Sequence, residues 1–372
     1  MNDIPSRRRF LQTVAGAGVV GLAGCLDSVT GGDAPEPGGK PVVGASTTNG
    51  DDGPFFSHDV ELSREYTDFA ENAVSGGVPK DGIPSIDDPA FEDASDADER
   101  LDPDDPVFGV ELGGQARAYP QYILVRHEIV NDELAGYNIA VTYCPLTGTA
   151  MGFDRGDDEF GVSGMLVNSN LIMYDRVSES WWPQVLGTLV RGENDAFLGR
   201  SLREFRVTWT TWERWRTVHE DTEVLTEDTG EPVSYNRDPY GTYNPRGGYY
   251  KNQNLLFSPL REDDRHHPKT VFIGARTGDG KVAFSKDRLR EESLLETDVG
   301  GVPYLAAYHD ALDSAWVYRN PEDRTIVAAE EWYEDSTGEQ YTADSLPLEA
   351  VNAFDAMWFA WAGFYPETEV VA

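Results

Sequence analysis

Val107-Phe108-Gly109-Val110-Glu111-Leu112-Gly113-Gly114-Gln115-Ala116-Arg117-Ala118-Tyr119 is answered downstream by Val271-Phe272-Ile273-Gly274-Ala275-Arg276-Thr277-Gly278-Asp279-Gly280-Lys281-Val282-Ala283-Phe284. Each stretch is an apolar run, a glycine turn, then alternating small and basic residues, the pattern of a β-hairpin with a tight turn. The echo continues outward. Leu134 to Cys144 lines up with Val299 to His309, and Thr149 to Phe153 with Ser314 to Tyr318. Each half closes on one plan: Trp212, Trp215, His219 and Thr222-Glu223-Val224 match Trp358, Trp361, Tyr365 and Thr368-Glu369-Val370. Trp212, Trp215 and His219 are spaced as one helix face, which predicts core packing for the tryptophans. The sequence therefore predicts a strand-rich α+β fold, an internally duplicated unit with two pseudo-equivalent halves at 104–226 and 268–372. A Tyr-rich connector, 227–267, joins them, and 56–103 is an entry segment.

Upstream, Ser6-Arg7-Arg8-Arg9-Phe10-Leu11 has the twin-arginine pattern and is followed by a short apolar stretch, Val14 to Ala23. That stretch is too short to span a bilayer, which takes about 20 residues. Leu22-Ala23-Gly24-Cys25 then reads as a lipobox with Cys25 as the lipidated residue. Residues 1–25 are thus expected to be an export signal and 26–55 a flexible Gly/Pro/Asp-rich tether. The expected location is the outer face of the cytoplasmic membrane, with the membrane itself a partner through the lipid on Cys25.

The chain carries 66 Asp and Glu against 30 Lys and Arg, a net charge of -36. So few cations leave little from which to build a nucleic-acid-binding face. With 40% hydrophobic and 11% aromatic residues the chain is a folded protein, not an acidic disordered one. Evenly spread acid predicts a protein that works in high salt, where ions screen self-repulsion.

With Cys25 taken by the anchor, Cys144 has no disulfide partner. It follows the apolar strand Ile139–Tyr143 and precedes Pro145 and a turn at Gly148, a strand-end position that suits a functional thiol. His127, where a short helix over 121–126 gives way to Ile129-Val130, is a candidate general base or ligand. His309 matches Cys144 in the second half and is a third candidate. Cys144, His127 and His309 together would suit copper or zinc; alternatively Cys144 is a nucleophile with a histidine base. Of the other histidines, His219 reads as a helix cap, His266-His267 as solvated and His58 as incidental. Asp175-Arg176 reads as a structural salt-bridged pair. The tyrosines and amides of the connector, 235–254, offer a rival surface for a glycan or peptide. No phosphate-binding loop, dinucleotide fingerprint, G-x-S-x-G elbow or zinc-protease helix occurs.

Several blocks in order resemble one family, domain of unknown function 3179, and the whole resembles a haloarchaeal twin-arginine lipoprotein of that family. The blocks are Asp81-Gly82-Ile83-Pro84-Ser85-Ile86-Asp87-Asp88-Pro89, His127-Glu128-Ile129-Val130-Asn131-Asp132 and Tyr143-Cys144-Pro145-Leu146-Thr147-Gly148-Thr149. Phe160-Gly161-Val162-Ser163-Gly164, Tyr174-Asp175-Arg176 and Trp358-Phe359-Ala360-Trp361 complete them. In that family the central block often reads Cys-Pro-Leu-Cys, which implies a redox dithiol or a thiolate metal site. Here Thr147 stands at the second position, so the resemblance leaves a single-thiol mechanism or a mixed Cys/His site. The expectation is thus metal binding or thiol-dependent redox chemistry at Cys144, with a glycan- or peptide-binding module as the alternative.

Overall fold

The computed structural model describes residues 36–38, 54–57, 60–330 and 332–372, all within the unit Ala34–Ala372. The segments expected to be an export signal and most of a tether, with Cys25 and His58, lie outside the described residues. No helix among the described residues is long and apolar enough to cross a membrane.

The fold is strand-rich α+β, with several small sheets rather than one large one. The first half opens with β1 (Pro106–Leu112) and β2 (Gln115–Pro120), the predicted hairpin, turning at Gly113 and Gly114. Both glycines have positive φ, as this turn demands. Then follow α1 (Gln121–His127), β3 (Ile129–Leu134), β4 (Tyr137–Cys144) and β5 (Thr149–Asp154). After the hairpin β6 (Phe160–Val167) and β7 (Asn170–Asp175) come β8 (Trp181–Pro183) and β9 (Glu204–Phe205). The half ends with β10 (Thr208–Thr211), α2 (Trp212–Val218) and β11 (Glu223–Leu225).

Beyond the connector, β12 (Val271–Thr277), β13 (Gly280–Ser285), α3 (Lys286–Glu292), β14 (Leu294–Val299), β15 (Val302–His309) and β16 (Ser314–Arg319) come in the same order. β17 (Glu349–Val351), β18 (Ala353–Met357), α4 (Trp358–Phe364) and β19 (Glu369–Val371) close the chain. The strand orders correspond. β10-β1-β2-β11 matches β18-β12-β13-β19, and β9-β5-β4-β3 matches β17-β16-β15-β14. In both, the last strand runs parallel to the second strand of the hairpin, against an otherwise antiparallel ladder.

The packing at the hairpins also corresponds. A Cβ at Gly109 would fall 2.2 Å from the Trp215 ring, and one at Gly274 2.2 Å from Trp361. Glycine is required at both because the indole lies flat on the strand. Each indole N–H donates to a threonine hydroxyl, Trp215 to Thr222 at 2.9 Å and Trp361 to Thr368 at 3.0 Å.

The halves differ in what surrounds them. α2, Trp-Glu-Arg-Trp-Arg-Thr-Val, is amphipathic and buries only Trp212 and Trp215. α4, Trp-Phe-Ala-Trp-Ala-Gly-Phe, is apolar all round and buries every residue, as its composition requires. Its cover comes from the first half: Asn168 donates to the Ala360 carbonyl at 2.8 Å, and Tyr365 to that of Val185 at 3.0 Å. Across the same face Arg276 meets Glu204 at 2.6 Å, both side chains 1% exposed.

Candidate functional site

Five of the six blocks meet around the start of β3, and the sixth, Trp358 to Trp361, lies in α4. Ile86 joins β3 through a bridge to Val130. Asn131 and Ser85 both donate to Asp87 Oδ1 at 2.7 Å, and Arg176 donates to the other oxygen at 3.0 Å. Tyr174 donates to Asp81 at 2.7 Å. Asp175 does not pair with Arg176, correcting the sequence expectation. It accepts from the Ser178 N–H and hydroxyl and from the Trp182 indole, while Arg176 turns out to Asp87 and Glu159.

Cys144 ends β4, paired with Thr149 across the turn. Its thiol is buried, 1% exposed. It lies 3.7 Å from the Ser169 carbonyl it donates to, and accepts from the Leu171 N–H at 3.4 Å. Burial pushes the thiol up to about 11, and the neighbouring Glu128 adds to the rise, against hydrogen bonds from Thr147 and Leu171 that favour the thiolate. Desolvation wins, so the resting site holds a thiol.

Thr147, three residues beyond Cys144, is fully buried. Its hydroxyl lies 2.8 Å from that of Thr149 and accepts from Asn170 at 3.1 Å, and Gln184 ties this group to Thr142 at 2.9 Å.

Glu128, one residue past His127, is the site residue that sequence reading missed. It sits at the C-cap of α1 with φ 61 and donates its N–H to Leu124 at 2.7 Å. Left-handed backbone in a non-glycine residue costs roughly 1–2 kcal/mol. The residue is 6% exposed, yet among the described residues no hydrogen bond or ion pair reaches its carboxyl. Burial alone raises it to about 8. The connector covers the pair. Tyr249 donates to the Leu146 carbonyl at 2.8 Å, and burial together with Cys144 and Tyr240 pushes its phenol up. Tyr240 is pushed up by burial, then Glu128 and Cys144.

His127 stands elsewhere. Both ring nitrogens are engaged, Nδ1 with the Pro84 carbonyl at 2.8 Å and Nε2 with the Tyr235 hydroxyl at 2.6 Å. Burial lowers its pKa, so it is a neutral strut between the entry segment and the connector. His309 lies 5.4 Å from the Trp316 ring, with Asp344 and Arg206 as its charged neighbours. Its Nδ1 is buried without a partner, on a separate pocket of about 350 Å³. Among the described residues no group of three or more His, Cys, Asp or Glu could hold a metal ion; Cys144, His127 and His309 occupy three different surroundings. His219 stacks on Trp215 at 3.9 Å; His266, half-buried, packs against Trp358 at 4.9 Å, and His267 is exposed.

The profile of a family described as "protein of unknown function (DUF3179)" matches residues 80–368. The chain belongs to that family. No curated protein and no solved structure matches it. For this DUF3179 protein the matched span takes in both halves, the connector and the block that carries Asp81 to Pro89.

Proposed function

We propose that this protein carries out single-thiol redox chemistry at Cys144, with Glu128 as its acid–base partner. One observation carries the reading: a glutamate 6% exposed, its carboxyl without a hydrogen bond or ion pair among the described residues, with a buried thiol at a strand end as its neighbour. Perturbed groups gathered in this way mark functional sites. The reaction that suits them is exchange with a disulfide-bearing substrate. Above about pH 8, where Glu128 is a carboxylate, the Cys144 proton passes to it, and the sulfur attacks one sulfur of the substrate disulfide. That S–S bond breaks, a new one forms to Cys144, and the departing thiolate takes the proton back from Glu128. The substrate disulfide is thus the oxidant. A carboxyl at about 8 is a better base toward a thiol than one at its ordinary value. Moving Tyr240 and Tyr249 aside would lift the desolvation that holds the thiol protonated, leaving the Thr147 and Leu171 donors to favour thiolate.

The site is proposed to work outside the cytoplasm, in high salt, on a domain exported by the twin-arginine route and held by a lipid on Cys25. Ser6 to Leu11 and Leu22 to Cys25 support this. Matching strand orders and the paired Gly–Trp–Thr packing support an origin of the two halves by internal duplication.

Folded protein in high salt is incubated with glutathione disulfide, and the mixed disulfide is mapped by peptide mass spectrometry, which separates Cys144 from Cys25. Adduct on Cys144, formed more slowly in Glu128→Gln, is expected. No adduct on native Cys144 while the unfolded chain reacts would defeat the reading. Metal analysis of the same preparation tests the copper or zinc reading at Cys144, His127 and His309.

A further inference from the structure

A groove of about 620 Å³ lies between β10, the connector and the second half's α3 and β12. Small-ligand sites typically measure about 300–1,000 Å³. In a chain with 30 Lys and Arg against 66 Asp and Glu, this lining reverses the balance, with five cations against three carboxylates. The carboxylates are already committed. Asp355 accepts from Lys286 at 2.6 Å, while Asp287 and Asp313 hold Arg290 at 2.7 and 2.8 Å. Lys269 turns inward to the Asn254 carbonyl at 2.8 Å, and burial lowers it to about 8.

Arg246 and Lys251 are left. Arg246 donates to the Lys269 carbonyl at 3.1 Å and the Tyr243 hydroxyl at 3.3 Å, and meets no carboxylate. Lys251 is exposed and has no ion pair among the described residues. An independent sign comes from β10. Thr210 lines the groove, is 3% exposed, and its hydroxyl has no hydrogen-bond partner among the described residues. Beside it the Trp209 and Tyr243 rings pack 4.5 Å apart as an apolar wall.

We propose that this groove binds a small organic oxyanion, a carboxylate or phosphate ester of about monosaccharide size. The planar guanidinium of Arg246 matches either group, Lys251 adds a point charge, and Thr210 supplies a hydroxyl donor. The proposal does not rest on any reaction at Cys144. It also moves the binding surface from the connector's own tyrosines to the cleft they share with β10 and α3.

The test is calorimetric titration of the full chain, at one fixed salt concentration, with glucuronate, glucose 6-phosphate and glucose. The three share a ring and differ in the anion. Binding by either anion but not by glucose is expected, and the tighter of the two tells carboxyl from phosphoryl. Glucose binding as tightly as both anions, or no binding by either anion, overturns the proposal. Arg246→Gln should weaken the bound anion about tenfold, the size of one charge-assisted hydrogen bond. Lys251→Gln, which loses no contact within the fold, should weaken it about threefold. An unchanged dissociation constant in both variants, each checked for a native melting curve, overturns it as well.

Discussion

The same strand end carries different chemistry in the two halves. Cys144 ends β4 opposite Thr149, and His309 ends β15 opposite Ser314. Glu128 and Ser293 occupy the same left-handed C-cap, φ 61 and 62, each receiving the N–H of the tyrosine across the ladder at 2.7 and 2.8 Å. Yet Cys144 and Glu128 lie under the connector tyrosines, while His309 and Ser293 line an open pocket beneath Tyr333. One backbone thus serves a sealed, proton-holding site and an open one. The difference lies in the insertions and in a few side chains, not in the ladder. Position 111 against position 276 shows the same thing: Glu111 faces outward, whereas Arg276 is sealed against Glu204 where the halves meet.

That last contrast gives the largest expected effect. Arg276→Leu leaves Glu204 buried with its main counter-charge gone, and should cost about 3–5 kcal/mol. Glu111→Leu, on the outward face, should cost no more than about 0.5 kcal/mol. Guanidinium chloride unfolding at constant salt measures both, and equal costs would mean that Arg276–Glu204 does not hold the halves.

Next in size is a pH effect confined to the first half. The folded state keeps Glu128 protonated up to about 8, against about 4.5 for the ordinary carboxyl. Between those values the native state binds the extra proton, so stability falls as pH rises from about 4.5 to about 8 and levels off above. Glu128→Gln should flatten that fall, seen as unfolding midpoints measured across the range. Ser293→Ala, at the equivalent position, should leave the slope in place. A slope unchanged by Glu128→Gln would mean that Glu128 titrates like an exposed carboxyl.

The hairpins, their glycine turns and the two Trp-bearing helices were legible because period-two and helix-face spacings are local signals. The surroundings of His127 also turn on a local feature. Counting the ladder back from Leu134 opposite Tyr137 puts His127 opposite Cys144, but the ladder stops at Ile129. The left-handed residue at 128 then swings His127 toward Pro84 and Tyr235, leaving Glu128 on the thiol's side. A signal was present in His127-Glu128-Ile129-Val130: an acidic residue leading directly into a strand whose first four residues are buried. What no local pattern carries is the cover, because Tyr240 and Tyr249 reach Cys144 from about a hundred positions away in the chain. Asp175 and Arg176 diverge for the plainer reason that the strand ends at Asp175, whose carboxyl caps the turn through Ser178, while Arg176 is already in that turn.

Two pairs of substitutions ask whether the shared frame is energetically shared. Gly109→Ala and Gly274→Ala each drive a methyl to within 2.2 Å of an indole, and each should cost about 1–3 kcal/mol or more. The smaller and more discriminating pair is Thr222→Val and Thr368→Val. Each keeps the side-chain volume and removes the acceptor of a buried indole N–H, at about 1–3 kcal/mol when nothing replaces it. Replacement is where the halves differ. Thr222 is 1% exposed and Thr368 8%, so water can reach the orphaned N–H of Trp361 more readily than that of Trp215. Thr222→Val should therefore cost more than Thr368→Val, and since the two contacts share no partner, the double variant should lose the sum within about 0.5 kcal/mol. A reversed order would show that α4, buried on every side, admits no water at its C-terminal end, and that the deeper helix sets the cost.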